Sequence, residues 1–504
     1  MSEKSAADAL RSDACLVVVE APAGCGKTYQ AATFAGACAA GLRPGRMLIL
    51  THTHAACDVI AKRLSGTQDA EIRTIDSLIV EIGTAYHRAI DLPADVSAWA
   101  RQSDDGYDQV AQRVDQLVGR APQIAAALVR RYPVVLCDEH QDSSAHQHGL
   151  VMKLRDAGAR LRIFGDPMQS IYGKKDEFTA AQAQWKALCA EAQAAERLDV
   201  GRRWEKAAPQ LGEWIQHARE MLRADRPIDL RGKLPAGLTV FRADNYASGY
   251  GNYRLDGKER VPIDKFLDPE GALLVLAPQN RTVGCLRGVF NRRLPIWEGH
   301  TRGALDVLVR TVTAHAGKPA EVAAAVLAFL DRVAVGFSAS AFGNPFAEEV
   351  RTGASKPRRG KPAFIQELAR MVLADPTHNG VATMLHRVEE LAAEEAAFSG
   401  IKIDHQREYR EAIQLGGFPD MAQGHAELTR RRSAMRPAPP RKAISTVHKA
   451  KGLECDRVLV LPCDKAHFAD KPQHRCLLYV ALSRPVRQLA LVLPTHEVSP
   501  LFVI

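Results

Sequence analysis

The sequence lacks most of the features that mark secreted, membrane and metal-binding proteins. Residues 1–5 contain no apolar signal-peptide core, and no uninterrupted apolar stretch approaches the length that spans a bilayer. The 10 cysteines are scattered without a CxxC pair, so their spacing indicates neither a zinc site nor a disulfide framework. No repeat of solenoid type is present in the sequence. We therefore expect a cytoplasmic protein that does not associate with membranes.

Composition predicts a folded chain of several domains. The chain has 504 residues, 46% hydrophobic and 25% charged, which is enough for roughly three or four domains. Because the formal net charge is +9, a polyanionic partner is favoured. An ATPase with a basic surface and no nucleic-acid role has the same charge balance, so charge alone leaves both classes open.

An apolar strand near the N-terminus leads into a Gly-rich loop. Gly24 and Gly26 allow the backbone to approach phosphate oxygens closely, and a helix is predicted to begin at Lys27. Lys27 reaches the β- and γ-phosphates as a point charge, and the Thr28 hydroxyl can ligate Mg²⁺. Cys25 lies beside the helix N-terminus and Lys27, which predicts a lowered thiol pKa. The alternative is an ordinary turn of small residues between a strand and a helix.

Two adjacent carboxylates follow a second apolar run, at residues 134–137. Asp138 is placed to hold Mg²⁺ through water, and Glu139 to orient or deprotonate an attacking water. Most Asp-Glu pairs are solvated surface residues. This pair ends a run typical of a buried parallel strand, so together with the loop it predicts NTP hydrolysis.

Apolar runs of strand length alternate with helical patterns in two blocks. The first block has such runs at residues 15–19, 47–51, 134–138 and 161–165, and the second at 238–241, 272–277, 443–446, 457–461 and 489–493. This alternation predicts an α/β fold of parallel sheets flanked by helices, with ligands at the carboxyl ends of the strands. Helical spacing of apolar residues interrupts the blocks at 84–132, 319–335, 363–375 and 380–397. The basic, Pro-containing stretches 351–362 and 430–442 are typical of solvated linkers.

Five motifs in a fixed order resemble those of one family. They lie at residues 23–28, 138–142, 165–172, 446–454 and 478–484. Together they closely resemble the motifs of UvrD/Rep-type superfamily 1 DNA helicases. The resemblance implies two RecA-like P-loop domains, each with a helical insertion. Their expected bounds are 1–83 and 133–225 for domain 1A, 84–132 for insertion 1B, 226–310 and 441–504 for domain 2A, and 311–440 for insertion 2B.

The resemblance implies that ATP binds between the two RecA-like domains. The residues that match catalytic positions are Lys27, Glu139, Gln169, Arg203 and Arg484. Gln169 matches the sensor of the γ-phosphate, and Arg203 and Arg484 match arginine fingers that stabilise transition-state charge. Thr28 and Asp138 match the Mg²⁺ ligands. The whole nucleotide-binding set is Ala23, Gly24, Cys25, Gly26, Lys27, Thr28, Gln169, Arg203, Glu454 and Arg484, in which Glu454 matches the ribose contact.

The same resemblance implies contacts to a DNA strand from both blocks. The matching residues are His52, Thr53, His54, Thr74, Tyr172, Thr446 and His448. Tyr172 matches the aromatic residue between nucleotide and DNA. The implied activity is an ATP- and Mg²⁺-dependent DNA helicase or translocase that tracks 3′ to 5′ on single-stranded DNA or a tailed duplex, in DNA repair or anti-phage defence.

Four parts of the sequence depart from the family pattern. Residues 1–20 contain no glutamine, so the residue that reads adenine is missing or displaced. Gly201 and Arg202 replace Asn-Tyr in a further family segment, the one that contains Arg203. His52 stands where a Phe often stacks on a base, and residues 173–176 replace another aromatic segment. We therefore expect the protein to hold single strands more through charge than through stacking.

Other functions stay open on the sequence alone. A nucleic-acid-sensing ATPase switch would hydrolyse ATP to license a partner and never unwind, and the altered aromatic positions favour it. An unrelated P-loop NTPase, such as a small-molecule kinase, would show no stimulation by nucleic acid. Short helicases of this layout also pair with a nuclease in Gabija-type anti-phage systems, which adds a nuclease to the expected partners.

Overall fold

The structure is a computed structural model that describes residues 2–64, 69–101, 103, 105–173, 175–244, 255, 257–297, 303–434 and 439–504. The chain forms two compact units, one made of Met1–Gln279 with Thr446–Ile504 and the other of Asn280–Ser445. Lys174 and part of the basic stretch 430–442 lie outside the described residues. The finer division into domains 1A, 1B, 2A and 2B stays a prediction.

The first unit contains a parallel sheet. Its described strands are β1 (Leu16–Glu20), β2 (Met47–Thr51), β3 (Ala70–Thr74), β4 (Val134–Cys137), β5 (Arg160–Gly165) and β6 (Ala194–Arg197). They lie in the order β3-β2-β4-β5-β1-β6, and each neighbouring pair is parallel. The four central strands confirm the four predicted runs. The pattern does not predict the edge strands β3 and β6, because both contain charged residues and are only partly buried.

Helices cover both faces of this sheet. In chain order they are α1 (Ser2–Arg11), α2 (Lys27–Cys38), α3 (His54–Arg63), α4 (Ile75–Ala85), α5 (Val96–Ala100), α6 (Gly106–Arg120), α7 (Pro122–Arg131), α8 (Ala145–Asp156), α9 (Lys175–Glu191) and α10 (Pro209–Arg223). Leu16 and Val18 of β1 share a core with α4, α6 and α8, whereas Val17 and Val19 share a core with α1, α2 and α3. Because successive side chains of a strand point to opposite faces, β1 is buried on both.

The remaining described strands are β7 (Ile228–Asp229), β8 (Leu238–Arg242), β9 (Leu273–Ala277), β10 (Ala334–Val335), β11 (Lys402–Ile403), β12 (Lys442–Thr446), β13 (Cys455–Val460), β14 (Pro485–Leu493) and β15 (Phe502–Val503). Within the first unit, β9, β13, β14 and β8 lie in that order and run parallel, and β15 pairs with β7. The strands predicted for the second block are therefore confirmed, and the α/β fold class with them.

The remaining described helices are α11 (Gly257–Leu267), α12 (Asn280–Val289), α13 (Gly303–Ala314), α14 (Pro319–Val333), α15 (Asn344–Arg351), α16 (Lys361–Ala374), α17 (His378–Glu394), α18 (Gln406–Leu415), α19 (Met421–Ala434), α20 (Val447–Ala450) and α21 (Pro472–Leu482). Helices α12 to α19 make up most of the second unit. In α14, Val322, Val326, Phe329 and Val333 recur every three or four residues and are buried in the core of that unit. No helix among the described residues is long and apolar enough to cross a membrane.

Residues 351–362 are mostly exposed, as predicted for a solvated segment, but they do not link separate units. This stretch closes the turn between α15 and α16, within the second unit. Two side chains of α16, Gln366 and Arg370, donate hydrogen bonds to its backbone, so the turn is part of the folded unit.

Candidate nucleotide and nucleic-acid site

The Gly-rich loop connects the end of β1 to α2. Gly24 and Gly26 have φ angles of 75° and 79°, in the left-handed region that favours glycine. A Cβ atom at Gly24 would lie 2.9 Å from the Cβ of Arg203, so close packing also requires glycine there. Gly26 is the N-cap residue of α2 and offers no side chain to cap it, which suits an anion at the first-turn N–H groups. The loop therefore fits a phosphate group.

Lys27 faces the two carboxylates that follow β4. Its Nζ lies 3.2 Å from Oδ1 of Asp138 and contacts Oε1 of Glu139. Burial raises the pKa of Asp138, and the charge on Lys27 opposes that rise. Burial also acts to raise the pKa of Glu139, but the charges on Lys27 and Lys451 outweigh it and lower that pKa to about 2. Carboxylate oxygens next to a lysine are a donor set that fits Mg²⁺ together with phosphate.

Glu139 has an uncommon backbone conformation. Its φ and ψ are 56° and 35°, a left-handed geometry that costs a non-glycine residue roughly 1–3 kcal/mol. The Oε2 atom accepts a hydrogen bond from Nε2 of Gln141 at 2.6 Å. Backbone strain of this kind is concentrated at functional sites. The strained turn and the hydrogen bond together fix the direction of this carboxylate.

Gln169 joins the segment after β5 to an arginine. Its Nε2 donates to Oδ2 of Asp166 at 2.9 Å, and its Oε1 accepts from Nη2 of Arg484 at 3.3 Å. Asp166 is fully buried and also ion-pairs with Arg219 at 2.6 Å. The carboxamide of Gln169 is therefore held in one orientation, as a sensor of a phosphate group requires.

Arg203 and Arg484 lie close to each other, although they come from separate motifs. The backbone N–H of Arg203 donates to the carbonyl of Gly24 at 3.1 Å, and its Nη2 donates to Oε1 of Glu454 at 2.6 Å. Arg484 is buried and donates from Nε to the carbonyl of Val480 at 2.8 Å. Burial and the nearby charge of Arg203 lower the pKa of Arg484 to about 10. The structure thus brings both guanidinium groups and Glu454 together beside the loop.

Sequence reasoning missed Lys451, although it lies within the matched residues 446–454. Its Nζ donates to the two carboxylate oxygens of Asp142, at 2.7 and 2.6 Å, and to the carbonyl of Gln169 at 2.6 Å. The same ammonium lies 5.0 Å from the centre of the Tyr172 ring. Lys451 therefore connects three of the five motifs through one charged group.

Tyr479 and Arg219, also missed, support the loop. The Tyr479 hydroxyl accepts a hydrogen bond from the backbone N–H of Ala23 at 2.9 Å. Arg219 is fully buried and donates to Oε1 of Glu20 at 2.8 Å and to Oδ1 of Asp166 at 2.6 Å. Tyr479 lies in the matched motif at 478–484, which is a signal that could have found it. Arg219 lies on the amphipathic helix α10, where nothing in the sequence distinguishes it from a surface arginine.

The three threonines expected at the DNA strand cap helices. Thr53, Thr74 and Thr446 are the N-cap residues of α3, α4 and α20. Each Oγ1 accepts a backbone N–H from the residue three positions later, at 3.1, 3.1 and 3.3 Å respectively. Thr53 follows β2, and Thr74 and Thr446 end β3 and β12, so all three lie at the carboxyl ends of strands. His54 is exposed as the first residue of α3.

Tyr172 and His448 lie side by side. Tyr172 is 51% exposed, and its hydroxyl donates to the carbonyl of His448 at 3.3 Å. The centres of the two rings are 6.2 Å apart. The structure thus places an exposed aromatic residue that follows β5 against a residue that follows β12.

His52 belongs to a chain of hydrogen bonds that reaches the carboxylate motif. Its Nε2 lies 3.1 Å from Oγ of Ser143, which lies 3.2 Å from Nδ1 of His140. Nε2 of His140 lies 3.0 Å from Nδ1 of His148. Burial lowers the pKa of His52 to about 4 and that of His140 well below its usual value. Both rings are therefore neutral at pH 7, and His52 is fixed by Ser143.

The prediction of a lowered pKa for Cys25 is wrong. The thiol is buried within the core that covers β1 and accepts a hydrogen bond from Nε2 of Gln216 at 3.1 Å. Burial raises the pKa of Cys25 to about 11, and the hydrogen bond from Gln216 offsets only part of that rise. The thiol points into the core, so desolvation outweighs the helix N-terminus.

The fold and these contacts define a P-loop protein with two RecA-like parallel sheets. The family model of the UvrD/REP helicase N-terminal domain matches residues 97–184, and that of the UvrD-like helicase C-terminal domain matches residues 443–492. These two matches confirm the resemblance of the motifs to those of UvrD/Rep-type superfamily 1 helicases. No curated protein matches the chain. UvrD-like domains imply an ATP-dependent helicase or translocase that binds DNA, in a family that typically uses Mg²⁺.

Proposed function

We propose that the chain is an ATP-driven translocase that tracks 3′ to 5′ on single-stranded DNA and displaces the complementary strand of a tailed duplex. The observation that carries this proposal is the position of Lys451. One ammonium group contacts Asp142 of the carboxylate motif, the backbone of Gln169, and the ring of Tyr172. A change at the nucleotide is thereby linked to the residue expected at the strand.

The nucleotide side of the proposal assigns roles to residues of the first unit. Lys27 and the N–H groups that begin α2 bind the β- and γ-phosphates, while Thr28 and Asp138 hold the metal. Mg²⁺ at these oxygens would neutralise charge that develops on the phosphates. Glu139 orients the attacking water, and its pKa of about 2 keeps the carboxylate ionised at neutral pH, so that it can accept a hydrogen bond from that water.

Arg203 and Arg484 stabilise the charge of the transition state, and Gln169 senses the γ-phosphate. Arg484 donates directly to Gln169, which in turn is held by Asp166. Loss of the γ-phosphate would alter this chain of contacts at Gln169, whose carbonyl is bound by Lys451. Hydrolysis is thereby coupled to movement of Tyr172 and His448 along the strand.

The second candidate is an ATPase switch that senses nucleic acid and licenses a partner nuclease without unwinding. One observation favours it. His52, which stands where a Phe often stacks on a base, is hydrogen-bonded through Ser143 to the buried His140. Fewer stacking side chains give weaker binding of a single strand. Weaker binding favours a protein that senses the strand over one that displaces it.

A strand-displacement assay with the full-length protein separates these functions. The substrates are duplexes with a single-stranded tail at either the 3′ or the 5′ end. We expect ATP-dependent displacement on the 3′-tailed substrate, none on the 5′-tailed one, and none for Glu139→Gln. Hydrolysis that DNA stimulates without any displacement would assign the switch. Hydrolysis that DNA does not stimulate would overturn both functions and favour a kinase-like role.

A further inference from the structure

The positive charge of the chain is concentrated in its second unit. Residues 280–445 contain 24 lysines and arginines against 17 aspartates and glutamates, a net charge of +7 out of +9 for the chain. The first unit, twice as long, has 43 basic and 41 acidic residues, a net charge of +2. The catalytic and strand-contacting residues proposed above all lie in that nearly neutral first unit. The polyanion favoured by the net charge is therefore expected to have a contact in the second unit as well.

Within the second unit, the turn between α15 and α16 carries a dense cluster of positive charge. The cluster consists of Arg351, Lys356, Arg358, Arg359 and Lys361, and residues 350–366 contain no aspartate or glutamate. All of residues 351–360 except Ala354 are exposed. We call residues 351–361 the basic turn.

The backbone of the basic turn is held by side chains of α16, of which Gln366 is buried and Arg370 is exposed. Nε2 of Gln366 donates to the carbonyl of Lys356 at 2.6 Å and to Oε2 of Glu349 at 2.8 Å. Nη2 of Arg370 donates to the carbonyl of Ala354 at 3.1 Å, and the Ala354 side chain is buried. Gln366 and Glu349 are themselves buried, at 3% and 5% exposure. The backbone of the turn is therefore held at residues 354 and 356, so a ligand need not order that backbone on binding.

Two of the five cations are neutralised locally. Arg351 ion-pairs with Glu348 at 2.6 Å, and Arg358 with the buried Glu349 at 2.7 Å. The other three are Lys356, Arg359 and Lys361. Among the residues that the structure describes, no carboxylate lies within 4.0 Å of these three side chains, although Lys361 lies 5.7 Å from the ring of Phe398. Three like charges within six residues repel one another, and a polyanion removes that repulsion.

We propose that the basic turn is a docking surface for the phosphate backbone of nucleic acid, with Lys356, Arg359 and Lys361 as its contacts. The three side chains lie within six residues of one turn, so they can contact neighbouring phosphates of one backbone. The turn has no aromatic residue, so it binds phosphates rather than bases and is indifferent to sequence. The choice of nucleic acid over an acidic protein rests on the proposed translocase function.

The test compares two triple variants of the full-length protein in binding to a 3′-tailed duplex over a series of salt concentrations. The first is Lys356→Gln, Arg359→Gln and Lys361→Gln. The matched control is Arg43→Gln, Arg231→Gln and Arg487→Gln, which removes the same charge from exposed arginines that each ion-pair with an aspartate. A plot of log K against log salt concentration has a negative slope. Each lost phosphate contact reduces the magnitude of that slope by about 0.9 on a duplex and about 0.7 on a single strand.

We expect the magnitude of that slope to fall by about 2 to 3 for the basic-turn variant and by less than about 1 for the control. Both variants should keep the ATPase rate that is measured without DNA. Equal slopes for the two variants would overturn the docking surface but leave the translocase intact, provided that the wild-type protein still binds and is stimulated by DNA. No binding by the wild-type protein would overturn both proposals. Poly-glutamate serves as the second probe. A basic-turn variant that loses affinity for poly-glutamate yet keeps the DNA slope would assign the surface to an acidic protein partner instead.

Discussion

At the scale of single residues, buried charge is concentrated around Lys27. Its ammonium pairs with Asp138 and Glu139, and all three groups lie at the ends of β4 and the loop. Removing one partner of a buried pair typically costs about 3–5 kcal/mol, because the remaining charge is left unpaired. Substitution of Lys27 by alanine is therefore expected to destabilise the protein as well as to stop hydrolysis. Glu139→Gln and Lys27→Arg, which keep polar or charged groups in place, are better tests of catalysis.

The adjacent residues Arg202 and Arg203 are a matched pair for testing whether Arg203 acts as an arginine finger. Arg203 contacts the loop and Glu454, whereas Arg202 ion-pairs with Glu3 and Glu205 at the surface. We expect Arg203→Ala to lower kcat for ATP about 10³-fold or more with little change in KM, because a finger acts on transition-state charge. Arg202→Ala is expected to stay within about twofold of the wild-type rate. If steady-state kinetics show the large loss of kcat for Arg202→Ala instead, the family's arginine finger aligns with Arg202 and not with Arg203.

The buried histidines predict a loss of stability in mild acid. The pKa of His52 is about 4 in the folded protein and near 6.5 when unfolded, so the unfolded chain binds more protons between those values. Stability is therefore complete above pH 6.5 and falls as the pH drops towards 4. For His52 alone the loss at pH 5 is about 2 kcal/mol.

Thermal unfolding of wild type and His52→Gln between pH 7.5 and 5 measures this effect. The wild-type melting temperature should fall more steeply, because glutamine cannot titrate. The same groups face His52 in both proteins, including Asp76, Lys451 and Glu139. The pKa of Glu139 is about 2, so its own loss of stability begins below about pH 4.5 and lies outside this window. Parallel curves for the two proteins would show that His52 is not held neutral by burial.

At the scale of helices and strands, α10 and α21 determine the geometry of the loop. Arg219 of α10 ties the end of β1 to Asp166, and Tyr479 of α21 binds the loop N–H of Ala23. The guanidinium of Arg219 also lies 5.7 Å from the centre of the Tyr479 ring. The loop is therefore supported by two helices that follow it in the chain by about 190 and 450 residues.

Tyr479→Phe removes the acceptor of the Ala23 N–H and nothing else. We expect the free energy of unfolding to fall by about 1 kcal/mol and the KM for ATP to rise several-fold, because the loop backbone is freed. Tyr409→Phe is the matched control, since its buried hydroxyl donates to the carbonyl of Leu385 at 2.6 Å in the second unit. It should lose similar stability without a change in KM. An unchanged KM for Tyr479→Phe would leave Tyr479 a purely structural residue.

At the scale of the whole molecule, the proposed function links the nucleotide to the strand through Tyr172. Because Lys451 and His448 both contact this exposed side chain, Tyr172→Ala should weaken binding of single-stranded DNA by about 1–3 kcal/mol and reduce DNA-stimulated hydrolysis. The ATPase rate without DNA should change little. Tyr86→Ala is the control, since Tyr86 is also a partly exposed tyrosine, at 43%. Binding and stimulation that fall together for Tyr172 alone, measured by anisotropy and by phosphate release, would support the linkage.

Several features of this protein follow from local sequence. The central strands are uninterrupted apolar runs, and the loop requires glycine at positions 24 and 26, so both are predictable from short segments. The order of the motifs and the family follow in the same way. The edge strands β3 and β6 do not, because their partial exposure permits charged residues that break the apolar pattern.

The remaining features depend on residues far apart in the chain, which only the folded structure brings together. Ala23 and Tyr479 are separated by 456 positions, and Lys451 and Asp142 by 309. Burial decides the neutral state of His52 and the raised pKa of Cys25, and burial is a property of packing from several elements. The sequence of the basic turn is likewise typical of a linker, and only the structure shows that Gln366 and Arg370 donate hydrogen bonds to its backbone. Sequence alone therefore determined the chemistry available at the strand ends, whereas the tertiary structure decided which of those groups pair, because pairing and desolvation arise only on folding.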